Sequence, residues 1–190
     1  MHYDKGTFKY GFVVGRFQHL HIGHQKLIDS GLEITDKLIV FVDLANQPVS
    51  TKNPYSYEYR KSLIETVYKD EIESGKIVVA PLNDYNSEIA LTPKWGDYVL
   101  KNAQNIFGEK PNVIIYGKDK DIYKCFSKSA VDDLTELVID RNTVNVSATQ
   151  MRSYLKEDDK KSWERFADKR IYKEYDELKK LLDEATDNTL

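Results

Sequence analysis

The chain has 190 residues, 41% hydrophobic and 31% charged, which suits one globular domain able to bury its own core. Its net charge of −3 excludes a broad electrostatic footprint for nucleic acid, so any anion site must be local. A single cysteine and the lack of any apolar run near ~18 residues exclude a disulfide framework and a membrane span, leaving a cytoplasmic protein as the expectation.

The polar opening "MHYDKGTFKYGFVVG" does not read as a signal peptide. Phe8–Val14 predicts a buried strand ending at Gly15, followed by a helix from about His21 with Leu27, Ile28, Leu32 and Ile34 facing inward. "KLIVFVD" (Lys37–Asp43) is nearly continuous in apolar residues, as a parallel strand covered on both faces would be. After the loop "LANQPVSTKNP", Ser56 caps a helix with Glu58 in its first turn and an inner stripe of Leu63, Ile64, Val67 and Tyr68. A third strand follows at Lys76–Leu82, then a polar loop. The next helix, from about Lys94, has Trp95, Val99, Ala103 and Ile106 at helical spacing. Strands at Asn112–Gly117 and Thr135–Asp140 complete five. After "VSATQMRSYL" come short charged helices, the last carrying Ile171, Tyr175, Leu178 and Leu182 inward. This alternation predicts an α/β fold, a Rossmann-like doubly wound parallel five-stranded sheet with C-terminal helices packed on it.

Ligands of such sheets bind beyond the carboxyl ends of the strands. The turns at Gly15–Gln18, Ala45–Asn53, Leu82–Trp95 and Gly117–Asp121 should gather there. "GRFQHLHIGH" (Gly15–His24) holds three of the four histidines. Gly15 and Gly23 leave room for close backbone approach, and free amides with the helix dipole favour an anion. His21 and His24 share one helical face and can both donate to phosphate oxygens. A zinc site built from His19, His21 and His24 is the rival chemistry, although no cysteine lies nearby. In "SATQMR" (Ser147–Arg152), Ser147 is a cap, and Thr149 and Arg152 lie three apart as a second phosphate clamp.

Together "GRFQHLHIGH" and "SATQMR" resemble the HxGH and SxTxxR motifs of the nucleotidyltransferase superfamily. The resemblance narrows to the nicotinamide mononucleotide (NMN) adenylyltransferases of the archaeal type, and is closest to the adenylyltransferase domain of the bifunctional enzymes that also carry a Nudix domain. Ala45–Arg60, Pro81–Tyr85, Trp95 and Tyr116–Asp121 match that family in the same order, and the likeness covers roughly Phe8 to Leu155. It implies that Arg16, His21, His24, Lys52 and Arg152 carry the catalysis on ATP phosphates. Gly15, Phe17, Gly23, Gly117, Asp119, Ser147 and Thr149 would bind ATP, and Asn46, Gln47 and Trp95 would bind NMN. Magnesium would arrive on the ATP phosphates, with no metal ligand from the protein. The reaction implied is AMP transfer from ATP to NMN, giving NAD and pyrophosphate. Its partners are small molecules, without nucleic acid or membrane, and a homo-oligomer remains open. The alternatives are transfer of an adenylyl or cytidylyl group to another phosphate acceptor, and a module that senses NMN or NAD without turnover.

Residues 1–190 are expected to form one nucleotidyltransferase domain, with a core at about 8–155 and a helical flap at 156–190. About 35 residues after Leu155 are too few for a Nudix domain. The family usually has proline where this chain has His19, so a less ordered turn is expected there, with the phosphate-binding side chains all still present. Trp163, in the charged tail, is expected to lie remote from the site, and Cys125 to be dispensable.

Overall fold

The computed structural model describes residues 6–84, 92–140 and 144–185. Strand β1 (Phe8–Gly15) lies at the centre of a five-stranded sheet in the order β3-β2-β1-β4-β5, with every pair parallel. From β1 the chain passes through α1 (Ile22–Ile34) to β2 (Thr35–Val42), then through α2 (Tyr57–Val67) and the short α3 (Lys69–Glu73) to β3 (Ile77–Pro81). It then returns through α4 (Pro93–Phe107) to β4 (Val113–Gly117) on the other side of β1. A short 3-10 turn (Ile122–Lys124) and α5 (Lys128–Asp132) lead to β5 (Thr135–Ile139). The strand order therefore reverses between β1 and β4, where an open α/β sheet forms its ligand crevice.

The apolar run of β2 serves two cores at once. Leu38, Val40 and Val42 face one cluster, shared with α1, α2 and the C-terminal helices, while Ile39 and Phe41 face the other, shared with α4 and α5. Alternate residues of a strand point to opposite faces, so a continuous apolar run is what burial on both sides requires. No loop separates α1 from β2. Thr35 closes the helix by donating its hydroxyl to the Gly31 carbonyl at 2.8 Å and opens the strand itself.

The expected stripe of α4 holds at Val99 and Ala103 but not at Ile106, which is 40% exposed. The row continues by fours to Phe107, which packs on the second core, and Ile106 turns outward. The helix-opening turn is pressed onto its neighbour: Gly96 N–H donates to the Cys125 carbonyl at 2.8 Å, and a Cβ at Gly96 would lie 2.4 Å from that oxygen. Tyr85 and the rest of residues 85–91 fall outside the described residues.

Beyond β5 come α6 (Ala148–Lys156), α7 (Lys160–Glu164), a 3-10 turn (Lys169–Glu174) and α8 (Tyr175–Glu184). The stripe Ile171, Tyr175, Leu178 and Leu182 is buried as expected, with Ile171 in the 3-10 turn. This segment joins the first core through Trp163, Ala167 and the same stripe. Among the described residues no helix is long and apolar enough to cross a membrane.

Candidate active site

The turn after β1 sets its histidines to different tasks. His21 caps α1, its Nδ1 accepting the Gly23 N–H at 3.1 Å. With Nδ1 an acceptor, the proton of the neutral ring sits on Nε2, which is then a donor. The His24 ring stacks on it at a centroid distance of 3.9 Å, and Phe17, buried, buttresses His24 at 4.8 Å. Phe17 thus supports an imidazole with its ring.

Two expectations for this turn change. A Cβ at Gly23 would lie 3.0 Å from Cε1 and Nδ1 of His21, and one at Gly15 would lie 3.0 Å from the Phe17 ring, so the room that each glycine leaves is taken by the protein's own side chain. Nor are the first amides of α1 open to an anion. Ile22 N–H donates to the Phe166 carbonyl at 2.9 Å, Gly23 N–H to His21, and His24 N–H to the His21 carbonyl at 2.8 Å. These amides are spent on the protein's own acceptors.

His19 belongs to the interior. It is 0% exposed, with Nδ1 2.7 Å from the Leu20 carbonyl and Nε2 accepting the Trp163 indole N–H at 2.9 Å. Both nitrogens are committed, so the three-histidine zinc arrangement fails. Among the described residues no group of three His, Cys, Asp or Glu could hold a metal ion. The turn is pinned rather than loosened at this position, and Trp163 lies directly beneath it instead of remote from it. Burial pushes the His19 pKa down to about 4, with Arg152 adding to that direction.

The second motif meets the first. Ser147 caps α6 by accepting the Gln150 N–H at 3.2 Å. Arg152 donates to Thr149 Oγ1 at 3.4 Å and to the Gln18 carbonyl at 2.6 Å. Gln18 in turn brackets Tyr55, its amide donating to the Tyr55 carbonyl and accepting the Tyr55 N–H, both at 3.0 Å. Burial lowers the Arg152 pKa, and neighbouring Arg16 pushes the same way. Two guanidiniums near one another in a half-buried site favour an anion between them.

Lys52 is exposed, in a turn closed by reciprocal backbone hydrogen bonds between Ser50 and Asn53. Asn46 and Gln47 join a different wall: Asn46 exchanges hydrogen bonds with the Asp84 backbone at 3.2 and 2.6 Å, and Gln47 donates to the Asp84 carboxylate at 3.0 Å. Trp95 is half-buried at the start of α4, edge-on to Phe126 at 5.8 Å. On the far side, a cavity of about 420 Å³ runs from Lys118 and Asp119, just after Gly117, to Val146, Ser147 and Gln150.

Arg60 was legible only as part of a matching segment, yet it organises the site. Its guanidinium, 2% exposed, donates to the carbonyls of Arg16 (2.6 Å), Asp43 (2.8 Å), Leu44 (3.1 Å) and Ser56 (3.2 Å). Phe17 and Leu44 both have positive φ, 50° and 54°, a region sparsely used by side-chain-bearing residues. One cation thus holds the two strained turns that leave β1 and β2. The available signal was position: Arg60 precedes Leu63, Ile64 and Val67 by helical steps and so lies on the inner stripe.

A sheet with its crevice between β1 and β4, lined by a histidine turn and an arginine-bearing helix, defines a nucleotide-binding α/β protein. The chain belongs to the cytidylyltransferase-like family, whose model matches residues 12–154. It is 26% identical to the nicotinamide-nucleotide adenylyltransferase of Archaeoglobus fulgidus, over 90% of this chain and 95% of that protein. It is 37% identical to the phosphopantetheine adenylyltransferase of Methanosarcina mazei, over 55% of this chain and 76% of that protein. A bifunctional NMN adenylyltransferase/ADP ribose pyrophosphatase from Francisella tularensis, solved with AMP and a manganese ion, matches with a TM-score of 0.62 and 26% identity. That match covers 79% of this chain but only 42% of the other.

Two outcomes follow from this geometry. Arg60→Met removes the side-chain donor shared by four carbonyls, of which Ser56 and Leu44 keep a backbone N–H partner, and should destabilise the protein by roughly 2–5 kcal/mol, read as a lower urea midpoint at unchanged m. Arg60→Lys should recover only part. His19 gives a pH dependence: its folded pKa, about 4, lies below the 6.5 of the free side chain, so the unfolded chain binds the proton more readily. Stability present at pH 7 should therefore fall between pH 6.5 and 4, by about 3 kcal/mol at ~1.4 kcal/mol per pH unit. His19→Gln, which keeps an acceptor for the indole but does not titrate, should flatten that part of the thermal-midpoint profile.

Proposed function

We propose that the protein is a nicotinamide-nucleotide adenylyltransferase, moving AMP from ATP to NMN to give NAD and pyrophosphate. The observation that carries this reading is the Arg152–Gln18 hydrogen bond, which makes the histidine turn and the α6 clamp one site. Such a site suits a phosphate chain: imidazole and guanidinium donors converge on it, and a nucleoside-sized cavity adjoins Ser147. The curated relative from Archaeoglobus fulgidus, matched over nearly its whole length, supports the same activity.

In this mechanism an oxygen of the NMN 5′-phosphate attacks the α-phosphorus of ATP in line. The new P–O bond forms as the bond to the pyrophosphate oxygen breaks, and pyrophosphate leaves with the electron pair. Catalysis is positioning plus stabilisation of spreading negative charge. His21 would donate through Nε2, and Arg152 and His24 beside it. Arg16, exposed at the turn, and Lys52, reaching in from its loop, would meet the outer phosphates. Gly15, Phe17 and Gly23 shape the turn around the phosphates, with Ser147 and Thr149 opposite. Gly117 and Asp119 take the adenosine side. Asn46, Gln47 and Trp95 would hold the nicotinamide nucleotide. Magnesium enters as part of the ATP substrate, because N–H donors and cations suit phosphate oxygens rather than a bare metal ion. No protein nucleophile is needed. Cys125 fits that role poorly, since burial raises its thiol pKa, and its lone free thiol suits the reducing cytoplasm.

The Methanosarcina relative favours one rival, the same transfer to phosphopantetheine. Incubating the purified protein with ATP, magnesium and equal concentrations of NMN and phosphopantetheine separates the two by chromatography. NAD should be the product, and its absence at saturating substrate would overturn the assignment. His24→Ala and Arg152→Ala should lower kcat a few hundredfold, the scale of ~3–4 kcal/mol for a preorganised donor, with little change in KM for NMN. Arg152→Lys should restore only part, since lysine lacks the planar fork.

Trp95 offers its indole to a cationic pyridinium, an attraction of ~0.5–2 kcal/mol. Trp95→Ala should therefore weaken NMN binding roughly two- to thirtyfold by calorimetry, leaving ATP affinity unchanged. Equal NMN affinity in the folded variant would return Trp95 to the Phe126 packing alone.

A further inference from the structure

The histidine turn has two sides, and the second faces the C-terminal helices. His21 and His24 repeat at a spacing of three toward the site. Ile22 and Gln25 repeat at the same spacing toward the tail, where Ile22 N–H meets the Phe166 carbonyl at 2.9 Å and the Gln25 amide meets the Asp168 carboxylate at 2.8 Å. Between these two sets, His19 meets Trp163.

The chemistry of that pair is directional. An indole nitrogen can only donate, so Nε2 of His19 must accept, and the single ring proton must lie on Nδ1. From there it can donate only to the Leu20 carbonyl, 2.7 Å away. Trp163 thereby fixes the tautomer of His19 and the peptide that follows it. The peptide before His19 carries the Gln18 carbonyl, which is the anchor of Arg152. Trp163 itself has little freedom: it is 0% exposed, with Tyr175 edge-on at 5.2 Å and Tyr172 at 5.9 Å.

We propose that Trp163 is a positioning residue for the phosphate-binding turn, its indole N–H locking His19 so that the Gln18 carbonyl holds Arg152 toward the substrate. The inference rests on the adenylyltransferase reading of the site, and it makes the C-terminal helices a working part of that site. It also gives a reason for the neutral, buried His19. A protonated ring would set two donors face to face and break the lock.

The test uses the full chain with ATP, NMN and magnesium. Trp163→Phe keeps an aromatic ring and removes the donor. It should lower kcat by about ten- to a hundredfold, the scale expected when a catalytic group is displaced, while KM for NMN stays within about twofold. It should also lower the thermal midpoint, because the buried Nε2 loses its partner. The double variant His19→Phe/Trp163→Phe removes both ends of the lock, so its midpoint should rise above that of Trp163→Phe, stopping short of wild type because the Leu20 carbonyl loses its donor, while kcat stays low. That divergence is one a merely structural role would not produce. If kcat recovers along with stability, or if Trp163→Phe leaves kcat unchanged in an active protein, the positioning role is wrong. A wild-type chain that makes no NAD would instead overturn the adenylyltransferase reading, a separate and recognisable result.

Discussion

The buried guanidinium of Arg60 is the tie from which the site hangs. Strands β1 and β2 end side by side, and each leaves the sheet through a residue with positive φ. Their carbonyls would diverge without a shared donor. A guanidinium offers five N–H groups in one plane, enough to bind Arg16, Asp43 and Leu44 while its Nε returns to Ser56 on its own helix. Burying that charge is tolerable because four carbonyl dipoles surround it and the Asp43 carboxyl is near. The arrangement holds the turns after β1 and β2 at a set separation.

Electrostatics at the crevice run against the balance of the whole chain. The protein is net negative, yet the Arg152 guanidinium on α6 lies near Arg16 of the turn, and burial together with that neighbouring charge lowers the Arg152 pKa. Burial pushes the Asp43 carboxyl pKa up, against the pull of the Leu44 backbone hydrogen bond and of Arg16. His19 beneath the turn remains neutral. The Arg152 guanidinium is therefore anchored to a turn whose support is uncharged and hydrogen-bonded.

Much of this was legible in the chain because it is local. Strand periodicity, the caps at Ser56 and Ser147, and the i, i+3 pairs His21–His24 and Thr149–Arg152 depend on neighbours within a turn or two, and all appear as expected. The short elements α3 and α5 were not legible, since five residues carry too little periodicity to register. Gly23 was read as leaving room for a ligand, but its missing side chain makes room for the imidazole two residues earlier, a contact that depends on a side-chain rotamer.

The sequence by itself determined the class of fold, the order of the elements and both phosphate motifs, because hydrophobic period and capping chemistry are written over a few adjacent residues. Only the tertiary structure decided which groups of those motifs meet one another and which enter the core. The Arg152–Gln18 contact spans 134 positions and the Trp163–His19 contact spans 144. No local pattern encodes which side of a turn will meet a helix that far along the chain. His19 could be read as a ligand, as a loosened proline position or as core, and its indole partner, unrecognisable in the charged tail, made it core.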